Sequence, residues 1–148
     1  MRRNRCMSEI QTDSQLAAAL KARSKRFAVG IIVLCRQFPR SVDALVVAKQ
    51  LIEAATSVAA NYRAACRSRS PADFISKISV VSEEADESRF WLELTVESEI
   101  LEAQRVRTLL NESGELAAIF TASRDTAKRN ARRKLRSGQA PKIARDPQ

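Results

Sequence analysis

The break at Ser70-Pro71, between two long helix-forming runs, constrains this chain more than any other feature. Upstream, QLIEAATSVAANYRAACRS from Gln50 keeps apolar residues at helical spacing, and downstream KISVVSEEADESRFWLEL from Lys77 does the same. Serine then proline is a helix start: the serine oxygen can accept from a free backbone N–H, and proline has no N–H to leave unpaired in the first turn. The two runs therefore read as neighbouring helices in an all-helical chain.

The rest of the sequence agrees. Only 3 glycines and 4 prolines interrupt 148 residues, and no segment alternates with the period of a strand. The length fits one domain, and 45% hydrophobic residues can fill its core. The longest strongly apolar stretch, Phe27 to Cys35, is too short to cross a bilayer, and the basic opening MRRNRCMSEIQTD lacks the apolar region of a signal peptide. A soluble cytoplasmic protein without membrane contact is expected.

Four helices can be placed. The first is expected from Ser14 to Phe38, stopped by Pro39, with Leu20, Phe27, Ile31, Leu34 and Phe38 on one stripe. Gly30 inside it is expected to mark the close approach of a neighbouring helix. The second, Val42 to Arg67, is apolar around most of its circumference. Leu45, Ala48, Ile52, Ala55, Ala59, Tyr62 and Cys66 form one stripe, and Val47, Leu51, Ala54, Val58 and Ala65 a second. Two stripes need two sets of neighbours, so self-association is expected. The third helix, from Pro71 to about Ser98, carries Phe74, Ile78, Val81, Ala85, Ser88, Trp91 and Leu92 on its apolar side and is otherwise acidic. The fourth runs from about Glu102 past Lys128, with a kink or fraying expected at Asn111 to Gly114.

Several chemistries are disfavoured. The chain has no histidine, which removes the commonest general base and zinc ligand, and its glycines stand too far apart for a phosphate-binding loop. The 3 cysteines, Cys6, Cys35 and Cys66, form no close-spaced pair. Cys35 and Cys66 are expected to be reduced and buried as small apolar groups, and Cys6 to lie in a tail. Neither a catalytic site, a metal site nor a cofactor is expected. Phe27, Phe74, Trp91 and Phe120 are assigned to the core, which leaves no aromatic platform for stacking single-stranded bases.

With these elements placed, the chain resembles the small four-helix-bundle family associated with intervening sequences of large-subunit (23S) ribosomal RNA genes. The resemblance spans roughly Lys21 to Asn130. It is carried by Gln50-Leu51, Thr56-Ser57-Val58-Ala59-Ala60-Asn61-Tyr62, Ser70 to Phe74, Lys77, Glu84-Ala85-Asp86-Glu87-Ser88 and Phe90-Trp91-Leu92. It implies an antiparallel up-and-down four-helix bundle that assembles into a ring, typically a homopentamer. It also implies kinship with the accessory protein of diversity-generating retroelements, a basic ring that binds a reverse transcriptase and nucleic acid. One departure is that Arg63-Ala64-Ala65 stands where the family often has an acid after the Asn-Tyr pair.

The polar members of that pattern, Gln50, Asn61, Lys77, Glu84 and Glu87, are expected to form a structural network. Glu84 and Glu87 need a cation nearby, with Lys77, Arg63 or a neighbouring subunit the candidates.

Charge supplies the remaining functional clue. The net charge is +5 over residues 1–35, +4 over 36–69, −7 over 70–123 and +7 over 124–148, within an overall +9. The densest cluster is Arg124, Lys128, Arg129, Arg132, Arg133, Lys134 and Arg136, and the first helix adds Lys21, Lys25 and Arg26. Such clusters suit phosphate contact, so the expected function is non-enzymatic, electrostatic binding of RNA or DNA without strong sequence specificity. The alternative is a protein-interaction scaffold that recruits a reverse transcriptase or another nucleic-acid-processing protein. The expected organisation is a basic flexible N-terminal tail over 1–13, the bundle over 14–130 and a basic extension over 131–148.

Overall fold

Apolar stripes at helical spacing produce α1 (Arg2–Cys35), α2 (Val42–Ala65), α3 (Pro71–Glu97) and α4 (Ala103–Gly138). The computed structural model describes residues 2–138, and side-chain surroundings over 14–138. The part of the basic extension beyond Gly138 and the side chain of Cys6 lie outside the described residues. α1 begins well ahead of Ser14, so the backbone of the segment assigned as a flexible tail is helical from Arg2 onward. α4 also continues past residue 130, through the cationic cluster.

Each helix packs against the next, and α4 returns to α1. Cross-contacts give the directions. Arg23 meets Glu112 while Arg105 Nη1 donates to Gln37 Oε1 at 3.2 Å, so α1 and α4 run oppositely. Ser82 Oγ lies 2.9 Å from Thr121 Oγ1, and Gly114 faces Arg89, so α3 and α4 do as well. This is the up-and-down order of four helices.

The predicted start at Ser70-Pro71 forms as read. Ser70 Oγ accepts from the Asp73 N–H at 3.1 Å, and Asp73 Oδ2 accepts from the Arg69 N–H at 3.1 Å and from Lys77 Nζ at 2.9 Å. Lys77 and then the Arg69 N–H hold the Asp73 carboxyl below its ordinary range. A lowered carboxyl favours the fold above its unfolded value, and that contribution disappears as pH falls through the folded value. Removing the cap in Ser70→Ala should cost about 1 kcal/mol. Thermal unfolding should show this as a drop of roughly 2–4 °C.

Phe27, Ile31, Leu51, Val58, Ile78, Val81, Leu92, Val106, Leu116 and Phe120 fill the interior, and Phe120 packs on Tyr62 with ring centroids 4.9 Å apart. Burial at 25–30 cal/mol per Å² makes these contacts the main stabilising term. Most buried hydroxyls bond within their own helix: Ser24 to the Leu20 carbonyl at 2.9 Å, Ser88 to Glu84 at 2.8 Å, Thr95 to Trp91 at 2.7 Å and Ser113 to Leu110 at 2.7 Å.

Several expectations need correction. Phe74 and Trp91 are only partly buried and border the core; Trp91 turns its ring edge outward and donates Nε1–H to Glu87 Oε1 at 3.0 Å. Cys66 is exposed because it caps the last turn of α2, while Cys35 is partly buried and burial pushes its thiol up to about 11. Leu45 faces outward, since no helix of the same chain covers the first turns of α2 on that side. Residues 111–114 remain helical: Ser113 is buried and back-bonded, and packing of α4 on α3 overrides the weak local propensity.

Gly30 does mark a close approach, because a Cβ built there would lie 2.9 Å from Leu109 Cδ2 of α4. The contact between α1 and α4 is the thinnest of the bundle, and Arg23 reinforces it. Arg23 donates through Nε and Nη2 to Glu112 at 2.7 and 2.8 Å and also reaches Glu115. These bonds, Glu112 first, raise the guanidinium above its ordinary value. Arg23→Ala should lower stability by about 1 kcal/mol, the upper end for a partly exposed pair, as read by urea denaturation.

Candidate nucleic-acid interface

The helix directions decide where the charges meet. The end of α2, the start of α3 and the last third of α4 share one end of the bundle with the first half of α1. A single cleft there is lined by Ala17, Tyr62, Pro71, Phe74, Ala131 and Lys134, among others. Arg63, Arg67 and Arg69 therefore lie toward the same end as the cations of α4, although on separate surfaces.

The α4 cluster divides by helical angle. Lys128, Arg129, Arg132, Arg133 and Arg136 recur at three- and four-residue spacing and border one shallow surface of about 550 Å³, with Asp125 at its edge. Lys134 turns toward the α2–α3 connection instead. Arg124 is held in place: its Nε donates to Asp125 Oδ1 at 2.9 Å and its Nη1 to Ser82 Oγ at 3.5 Å. It braces α4 against α3 and is less available to a ligand than its neighbours.

A second cationic surface lies between α1 and α2. Lys21 and Lys25 face Arg63 and Arg67 across a groove of about 610 Å³ floored by Ala22, Ala28, Ala59 and Ala60. Among the described residues, none of these cations makes a salt bridge. Like charges at i,i+4 cost an isolated helix a few tenths of a kcal/mol per pair, and here two such pairs converge. Small alanine side chains keep the groove open. Arg26 is not part of it; it borders the α1–α4 face beside Arg23 and Glu112. The sequence reading missed Arg67 and treated Arg63 only as a partner for carboxylates. The signal was available in the matching four-residue spacing of both pairs, but helix direction was needed to align them.

The five polar residues expected to form one network do not do so. Gln50 Nε2 donates to Glu53 at 3.0 Å, Asn61 Nδ2 to the Ser57 carbonyl at 3.0 Å and Lys77 to Asp73. Glu87 accepts from Trp91, and Glu84 takes part through its backbone carbonyl, which accepts from Ser88. Every partner is three or four residues away. Residues seven apart, such as Lys77 and Glu84, are separated by about 10 Å along the axis, so the nearer Asp73 wins Lys77. No group of three or more metal-ligating side chains occurs among the described residues. None of the helices there is long and apolar enough to cross a membrane.

A family model described as 23S rRNA-intervening sequence protein matches residues 18–122. The chain belongs to that family. Among solved structures, it is similar to a protein of unknown function of the S23 ribosomal protein family from Bacteroides thetaiotaomicron. The two are 32% identical over 70% of this chain and 96% of that one, with a TM-score of 0.65. No curated protein matches the chain. The 23S rRNA-intervening sequence match contains the α1–α2 groove but stops before the α4 cluster.

Proposed function

We propose that this chain is a non-enzymatic, self-associating bundle that binds RNA or DNA through the phosphate backbone, without strong sequence preference. The observation that carries this reading is the convergence of cations from α1, α2 and α4 at one end of the bundle, where Asp73 and Asp125 are the nearby acids. Lys128, Arg129, Arg132, Arg133 and Arg136 supply one contact surface, and Lys21, Lys25, Arg63 and Arg67 the other.

Exposed cations neutralise phosphates and release condensed counterions, so affinity falls as salt rises, whereas sequence readout needs side chains placed against base edges. An oligomer, such as the pentamer that the family resemblance implies, multiplies weak single contacts by avidity. The alternative is a scaffold in which the same cations meet an acidic face of a reverse transcriptase or another nucleic-acid-processing protein.

The purified protein with random single-stranded RNA and DNA separates these readings. Binding at low salt, with a log–log salt slope of about −0.7 per phosphate contact, is expected. No uptake of either polymer at low salt would overturn the nucleic-acid reading and leave the scaffold.

A further inference from the structure

Phe74, expected in the core, is only partly buried and lines the cleft of about 560 Å³ at the basic end of the bundle. The other rings with exposed surface lie far from it. Phe38 follows α1 at the opposite end, and Phe90 and Trp91 stand about 30 Å along α3 from Pro71. Among the described residues, one aromatic ring therefore borders a cleft where the cations gather.

The walls suit a flat group with polar edges. Tyr62 and Ala65 of α2, Pro71 and Phe74 of α3, and Ala127 and Ala131 of α4 supply carbon surface. The two alanines are one turn apart, and their small side chains keep the α4 wall open. Asn130 brings an amide with both donors and an acceptor, and Lys134 an ammonium that makes no salt bridge among the described residues. Ser68 also lines the cleft, and its Oγ is buried without a hydrogen-bond partner. A buried hydroxyl left unpaired is uncommon and costly, and a polar edge entering the cleft can pair with it once χ1 turns to another staggered position.

A nucleotide has this chemistry: a flat base with a polar edge, and a phosphate one sugar away. We propose that the cleft holds one unpaired nucleotide, with its base stacked on Phe74, the base edge toward Ser68 and Asn130, and the phosphate on Lys134. The inference rests on the phosphate-backbone binding of the proposed function and gives it a preference for single strands. In a duplex the base is already paired and stacked, and must be extruded at a cost. Stacking tolerates every base, since each has a π-face, so weak sequence preference is retained. Ala127, Ala131 and Lys134 lie on the opposite stripe of α4 from Arg129, Arg132 and Arg136, so the cleft and the arginine surface can be altered separately.

Fluorescence anisotropy of the full chain with three labelled ligands tests this: single-stranded DNA, its duplex, and an abasic strand of equal length with the same phosphates and no bases. The wild type should prefer the ordinary strand over the abasic one by at least about fivefold, the lower end for one base stacked on an aromatic side chain. Phe74→Leu keeps the apolar bulk and removes the ring. It should lose most of that preference while its affinity for the duplex and the abasic strand stays at the wild-type value. Equal wild-type affinity for ordinary and abasic strands, or a preference that survives Phe74→Leu intact, would sink the cleft as a nucleotide site.

If Phe74→Leu loses helicity by circular dichroism, Ala131→Leu decides, because it fills the cleft from α4 without adding a ring; a preference that persists in it counts against the proposal. Competition with millimolar adenosine monophosphate identifies the source of the nucleotide. Loss of the preference supports a site open to free nucleotides, and persistence supports one filled only from a strand. The two readings fail differently. Uptake of all three ligands alike leaves the phosphate-backbone function and removes the cleft, whereas no uptake of any at low salt removes both.

Discussion

Phe120→Ala should cost about 3–5 kcal/mol, the largest loss expected from any single truncation in this bundle. Phe120 is fully buried, packs on Tyr62 and lies where α4 meets the rest of the core. Its removal leaves a cavity that neighbouring helices cannot refill without shifting their backbones. Because small domains are stable by only about 5–15 kcal/mol, roughly a fifth or more of the total is at stake. Urea denaturation followed by circular dichroism should show the midpoint falling sharply. Trp91→Ala is the control: the ring is partly exposed and its N–H bonds to Glu87 on its own helix, so the loss should stay below about 2 kcal/mol. Equal losses would contradict the packing described for either residue.

The second large effect concerns affinity. Replacing Arg129, Arg132, Arg133 and Lys134 with alanine should reduce binding of random RNA by at least about tenfold at low salt and flatten the salt slope by about 2 to 3. The arginines on the shared α4 surface should contribute more than Lys134, which faces away from it. Helicity should persist, since all these side chains are exposed. An unchanged slope would remove the cluster from the binding surface and shift attention to the groove between α1 and α2. Arg124→Ala should behave differently, because its bonds to Asp125 and Ser82 make it a brace between helices.

Much of this fold is legible in local chemistry. Ser70-Pro71 specifies a helix start because its cap needs only residues within one turn, and Gly30 signals close approach because the missing side chain leaves room for Leu109. Positions that depend on neighbours in space are not legible in this way. Leu45 and Ile52 belong to the same apolar stripe, yet only Ile52 lies against the core. Hydropathy gives a period but not which part of a helix its own chain covers. Lys77 is one candidate cation for Glu84 and Glu87 by helical spacing, yet it pairs with the nearer Asp73. The candidate interface was half legible: the α4 cluster is contiguous in sequence, whereas the groove joins residues 21 and 25 to 63 and 67 and exists only once α1 and α2 are packed.

The back-bonded hydroxyls carry a different implication, for how the bundle assembles. Ser24, Ser88, Thr95 and Ser113 satisfy their oxygens as soon as their own helix forms, so none waits for a partner across the core. Docking in the interior is then mainly a matter of shape, with Ser82 and Thr121 a part-buried hydroxyl pair between helices and the charged contacts of Arg23 and Arg124 nearer the surface. Such an interior places few directional demands on the chain during collapse. It tolerates exchange of serine for alanine, and what it resists is added bulk at the points where neighbouring backbones come closest.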